Sequence, residues 1–101
     1  MGTATRLDER ELEQALRELS SWQVREGKLH REYRFRDFVE AWGFMSAAAL
    51  LVQQMDHHPE WSNVYHTVTV ELVTHDAGGI SARDVELAKK LEALAARWPK
   101  G

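Results

Sequence analysis

An α+β fold, built as α-β-β-α-β-β-α with a four-stranded antiparallel sheet and three helices packed on one face, is predicted by three patterns in this 101-residue chain. First, Thr67 to Thr74 alternates, with Val68, Val70 and Leu72 set against Thr67, Thr69 and Glu71, the pattern of a strand with one dry face. Second, Ser81 and Asp84 stand three apart ahead of Leu87, Leu91 and Leu94, which is a capping box opening an amphipathic helix. Third, a long apolar stretch at helical spacing, Phe38 to about Asp56, lies between two strand-like regions. Paired strands interrupted by helices lead to an antiparallel sheet with its helices gathered on one side.

Taken in order, Leu7 to Leu19 reads as the first helix, with Leu12, Leu16 and Leu19 on one face. Asp8, Glu9 and Glu11 suit its electropositive start, and Ser20 and Ser21 close it. Trp22–Arg25 and Lys28–Phe35 form a hairpin about Glu26-Gly27, where glycine accepts the positive φ of a two-residue turn. Leu29, Tyr33 and Phe35 share its inner face, whereas His30, Glu32 and Arg34 share a wet one. Asp37 is the expected N-cap of the central helix, with Glu40 in capping-box position. Phe38, Trp42, Met45, Ala49 and Val52 make its apolar stripe, and Phe44, Ala48 and Leu51 widen it toward a second partner such as another subunit. Glu60 to Ser62 is a short strand, with Asn63 and Val64 in the turn after it. Strand parity puts His75 on the more polar face, Asp76 to Gly79 is a turn, and Ser81 to Arg97 is the last helix, ended by Pro99. Ile80 and Val85 occupy the positions of a hydrophobic staple around its start. We expect one domain over residues 1–101, with residues 1–6 flexible.

Composition narrows the function. The net charge of −3 argues against non-specific nucleic-acid binding, which needs a concentrated positive surface. Without cysteine there is neither a disulfide framework nor a thiolate zinc site. The longest apolar run, Ala47 to Val52, falls far short of the roughly 20 residues a membrane span requires, and Met1 to Arg6 holds no signal-peptide core. A cytoplasmic protein with no membrane association is the expectation.

The most informative feature is His57-His58-Pro59, at the junction between the central helix and the next strand. Pro59 keeps His58 out of the α region, so the helix ends by Asp56 or His57 and the two imidazoles leave a rigid corner in different directions. Histidine titrates near neutrality, which suits proton transfer. Spacing alone leaves three readings open: imidazoles that satisfy helix-end carbonyls, paired acid-base groups, or a metal site completed by His75 and Asp76. Against the last, adjacent histidines rarely turn both rings to one ion, and no HExxH helix is present, so a metal is not expected. His30 is placed on the solvated face of its strand, and His66 at a structural or rim position.

The segment DHHPEWSNVYHTVTVELVTHDAGGISARD, from Asp56 to Asp84, resembles the pterin-4a-carbinolamine dehydratases, whose pattern runs His-His-Pro, an aromatic, a His and an Asp. Here those positions are His57, His58, Pro59, Tyr65, His75 and Asp84. The likeness extends to RDFVEAWGFMSAAAL in the central helix and, more weakly, to the N-terminal elements. One position departs: four residues before the first His, where the family carries a charged side chain, this chain has Gln53. The resemblance implies dehydration of 4a-hydroxytetrahydropterin to the quinonoid dihydropterin, a hydro-lyase step in recycling tetrahydrobiopterin-type cofactors that itself needs no metal, redox partner or cofactor. It implies His57, His58 and His75 as the catalytic set, within which we hypothesise that His57 and His75 are the acid-base pair. His58, Pro59 and Trp61 would hold the pterin. Tyr65 would shape the pocket, and Asp84 is read as the N3 carboxylate of the last helix. A homodimer or homotetramer is expected. The alternative is an oligomeric interaction module, because some relatives serve as dimerisation cofactors for a transcription factor.

Overall fold

The computed structural model describes residues 5–99. Its elements are α1 (Glu9–Glu18), β1 (Gln23–Arg25), β2 (Lys28–Arg34), α2 (Phe38–Met55), β3 (Glu60–Val64), β4 (Thr67–Leu72), a 3₁₀ turn at His75–Ala77 and α3 (Ala82–Ala95). The four strands form one antiparallel sheet in the order β1-β2-β4-β3. The predicted α+β order is therefore the observed one. Of the N-terminal segment expected to be flexible, residues 1–4 lie outside the described residues, while Arg6 forms a β-bridge with Ser81.

Local chemistry accounts for most element ends. Asp8 caps α1 in a reciprocal box with Glu11, and Ser81 does the same for α3 with Asp84. At α2 only half of the expected box forms. Asp37 accepts from the Glu40 N–H, but the Glu40 carboxylate turns to the backbone N–H and guanidinium of Arg36, where a full positive charge outcompetes a single amide. The β1–β2 hairpin turns at Glu26 and Gly27, both at positive φ. Only the second is a glycine, so Glu26 carries the strain of that turn.

Three further expectations about the elements are corrected. β3 runs on through Asn63 and Val64, and the turn falls at Tyr65-His66 with Tyr65 at φ 51°. The Asn63 side-chain amide donates to the carbonyls of Tyr65 and Thr67, bracing this two-residue loop from within the strand. β4 stops at Leu72 instead of Thr74, so the 3₁₀ turn, not strand parity, positions His75. The third correction concerns α2. Phe38, Trp42 and Ala49, read as its core stripe, face outward, while Phe44 and Ala48, read as surplus, are fully buried with Ala41 and Val52. A helix apolar on nearly every side has no contrast by which periodicity can choose its inner face.

The core lies between the inner sheet face and the helices. Leu29, Tyr33, Val68, Val70 and Leu72 from the strands meet Leu19, Phe44, Val52, Leu87 and Leu91. Tyr33 and Phe35 pack on Phe44 at centroid distances of 4.9 and 5.2 Å. At the border of this core, Trp22 Nε1, Arg31 Nε and the Tyr33 hydroxyl all donate to Glu92 Oε1 at 2.7–2.8 Å. Burial works against the Glu92 charge, but these donors, led by Arg31, hold its carboxyl below the usual value. Such a group contributes stability above its unfolded value near 4.5 and loses it as pH falls through the lower folded value. Glu92→Gln is expected to weaken the dependence of melting temperature on pH in that acidic window; an unchanged profile would contradict this role.

Candidate active site

The corner at residues 56–59 is made by the way α2 ends. Asp56 adopts the left-handed conformation, φ 50° and ψ 44°, and the chain closes with His57 N–H to Val52 O and Asp56 N–H to Gln53 O. This paired 6→1 and 5→2 closure normally takes glycine, and aspartate is among the few residues that tolerate it. The first turn of α3 then grips the corner. The Arg83 guanidinium donates to the carbonyls of Met55 and Asp56, capping the electronegative end of α2. Its neighbour Asp84 reaches His57, with Oδ1 2.5 Å from Nε2.

That contact is buried on both sides. His57 is 7% exposed and Asp84 0%. A carboxylate is an acceptor, so Nε2 of His57 carries the proton in this contact and Nδ1 is left open. Among the described residues Nδ1 has no hydrogen-bond partner, and no buried side-chain nitrogen or oxygen lacks one, so Nδ1 reaches solvent. Asp84 thus serves two ends at once: Oδ2 accepts from the Ser81 N–H and the Thr74 hydroxyl, while Oδ1 holds His57.

His58 points the other way and is exposed, its Nε2 3.1 Å from Gln53 Oε1. Gln53 therefore presents a neutral side-chain acceptor to His58, one turn before the corner. His75 stands on the 3₁₀ turn with its side chain 80% exposed, Nε2 3.6 Å from Glu60 Oε2. Glu60 is also bound by Lys28 Nζ at 2.6 Å, and that contact leads in holding its carboxyl below the usual range. Pro59 is half-buried, and Trp61 is half-buried against the core on the inner side of β3, paired with Val70. Tyr65 lies at the far end of β3, stacked on His66 at 4.4 Å, away from the corner. His30 is on the expected face but is not solvated: it is 8% exposed, between Arg25 and Glu71 at 3.1 and 2.9 Å. Among the described residues no hydrogen bond joins His57, His58 and His75 to one another, and no group of three or more His, Asp or Glu is placed to hold a metal ion.

Sequence reasoning missed the Asp84–His57 contact, although its signal was present. Asp84, Leu87, Ala88 and Leu91 share one face of α3, and all four are buried, so periodicity alone placed a carboxylate toward the interior. A buried carboxylate needs a partner.

The family model described as pterin 4 alpha carbinolamine dehydratase matches residues 5–94. This chain belongs to that family. A relative from Solibacter usitatus, named "Putative pterin-4-alpha-carbinolamine dehydratase", is 61% identical over 92 residues, covering 91% of this chain and 97% of its own. A relative of the same name from Prochlorococcus marinus (strain MIT 9303) is 51% identical, with coverage of 91% and 96%. The crystal structure of a transcriptional coactivator/pterin dehydratase from Brucella melitensis superposes with a TM-score of 0.86 at 44% identity, covering 90% of this chain and 99% of that one. A pterin dehydratase-like protein identified as a RuBisCO assembly factor in the alpha-carboxysome shares the fold, with a TM-score of 0.62 at 23% identity and coverage of 73% and 86%. In this pterin dehydratase family member, no helix among the described residues is long and apolar enough to cross a membrane.

Proposed function

We propose that this protein dehydrates 4a-hydroxytetrahydropterin to quinonoid dihydropterin and water by histidine acid-base catalysis. The C4a–O bond breaks as a proton is delivered to the departing hydroxyl, and the proton on N5 passes to a base as the C4a–N5 double bond forms. One proton is given and one taken, so no oxidant or reductant is consumed. The observation that carries the reading is the buried Asp84–His57 pair at the His57-His58-Pro59 corner, with Nδ1 of His57 left without a hydrogen-bond partner among the described residues. His57 and His75 form the acid-base pair. His58, oriented by Gln53, holds the pterin with Pro59 and the exposed part of Trp61. Arg83 occupies the last carbonyls of α2, so the carboxylate of Asp84 rather than the helix end governs how His57 presents its protons.

A second reading is supported by the outer face of α2, where Phe38, Val39, Trp42 and Leu50 are 48–76% exposed. Phe44 and Ala48, first read as surplus apolar surface, are spent in the chain's own core, so it is these outward residues that fit self-association into a homodimer or homotetramer, or an interaction module of coactivator type. Two measurements separate the readings. Tight pterin binding without faster dehydration would favour the module, and acceleration over the uncatalysed loss favours the enzyme. Light scattering showing a strict monomer at high concentration would sink the oligomer.

A further inference from the structure

Thr74 lies outside the His-His-Pro corner and is not among the six pattern positions named above, yet both halves of the site run through it. Its side chain is inside the molecule: Thr74 is 4% exposed, Ser81 1% and Asp84 0%. Thr74 Oγ1 is 2.8 Å from Asp84 Oδ2 and 2.7 Å from Ser81 Oγ. Each hydroxyl has one hydrogen, and a carboxylate can only accept. The Thr74 proton therefore goes to Asp84, the Ser81 proton goes to Thr74, and Ser81 Oγ accepts from the Arg83 N–H at 3.2 Å. The result is a one-way chain of donors ending on Asp84. With Ser81 N–H at 2.9 Å also on Oδ2, that oxygen is held twice, which fixes the plane of the carboxylate and turns Oδ1 onto His57.

The backbone of the same residue carries the other histidine. Thr74 N–H donates to Gly79 O at 3.0 Å, and Thr74 O accepts from Ala77 N–H at 3.0 Å and from Gly79 N–H at 3.3 Å. These bonds close the loop His75–Gly78, which turns back at Gly78 with φ 74°. One residue thus orients His57 through Asp84 and seats the turn on which His75 stands.

We infer that Thr74 is a positioning residue, whose hydroxyl holds Asp84 so that His57 keeps its proton on Nε2 and offers Nδ1 to a ligand, in register with His75. The kinetic part of this inference rests on the proposed dehydratase reading, whereas the tautomer part does not.

The test compares Thr74→Val, which keeps the shape and removes the hydroxyl, with Thr74→Ser, which keeps the hydroxyl, both in the full chain. Imidazole ¹⁵N–¹H spectra of the ligand-free protein are expected to show His57 as a single Nε2–H tautomer with slow solvent exchange in the native chain and in Thr74→Ser. In Thr74→Val, Asp84 loses a donor where water does not reach, and the spectrum should show the Nδ1–H tautomer or markedly faster exchange. The same variant should lower kcat for dehydration about 10- to 100-fold with little change in KM, since misorientation of a reacting group acts on the chemical step. A folded Thr74→Val protein with the native His57 spectrum overturns the inference. If Thr74→Val does not fold, Ser81→Ala decides instead, because it removes the hydroxyl that donates to Thr74: a weaker shift of the same sign supports the inference and a native spectrum overturns it. A His57 tautomer that responds to Thr74 in a native protein without dehydratase activity would sink the enzymatic reading and leave the role of Thr74 standing.

Discussion

His57→Ala is expected to lower kcat for 4a-hydroxytetrahydropterin dehydration by about 10²- to 10⁴-fold, the usual contribution of a positioned acid or base. The variant also strips Asp84 of one partner inside the protein, so part of any loss could come from unfolding. His75→Ala separates the two causes. Its side chain is 80% exposed, and its ion-pair neighbour is a carboxylate at 3.6 Å, so removing it should leave stability within about 0.5 kcal/mol of the native value. A comparable loss of kcat in His75→Ala, without loss of stability in urea, is the pattern the proposed pair requires. Native activity in His75→Ala would remove it from the pair.

The largest effect on stability is expected at Phe44. The side chain is fully buried and surrounded by aromatic rings, with Tyr33 and Phe35 near 5 Å and Trp98 edge-on at 6.1 Å. Truncation to alanine leaves a cavity that this rigid cluster cannot fill, and the cost should be about 3–5 kcal/mol in urea unfolding. Trp42→Ala, two residues away on the outward face, should cost the isolated chain much less. If Trp42→Ala were the more damaging of the two in a monomeric sample, the inner and outer faces of α2 would be wrongly assigned.

That pair of residues also shows where sequence reading reaches its limit. Strand alternation in β4 and the capping box at Ser81 placed their elements closely because each involves contrast: apolar against polar, or a side-chain acceptor against a free N–H. In α2 the contrast is missing, and only packing against the sheet shows that Phe44 goes in and Trp42 stays out. The β3–β4 turn was misplaced for a different reason. Tyr65 adopts positive φ, which tyrosine rarely does, and the turn is held by Asn63 from two residues back. Within the site, the His57-His58-Pro59 corner was legible because Pro59 imposes its own backbone constraint. The supports of that corner were less so. Arg83, Asp84 and Thr74 act across 10 to 28 residues of sequence, and only the fold brings their donors and acceptors together.

An acid-base site for a pterin carbinolamine at this corner makes a direct kinetic demand. Stopped-flow observation of freshly generated 4a-hydroxytetrahydropterin, with the native protein and the His57→Ala/His75→Ala double variant run beside the uncatalysed reaction, tests it most directly. The native protein should accelerate loss of the carbinolamine, and the double variant should fall back toward the uncatalysed rate. No acceleration by the folded native protein, or full acceleration by the double variant, would contradict it.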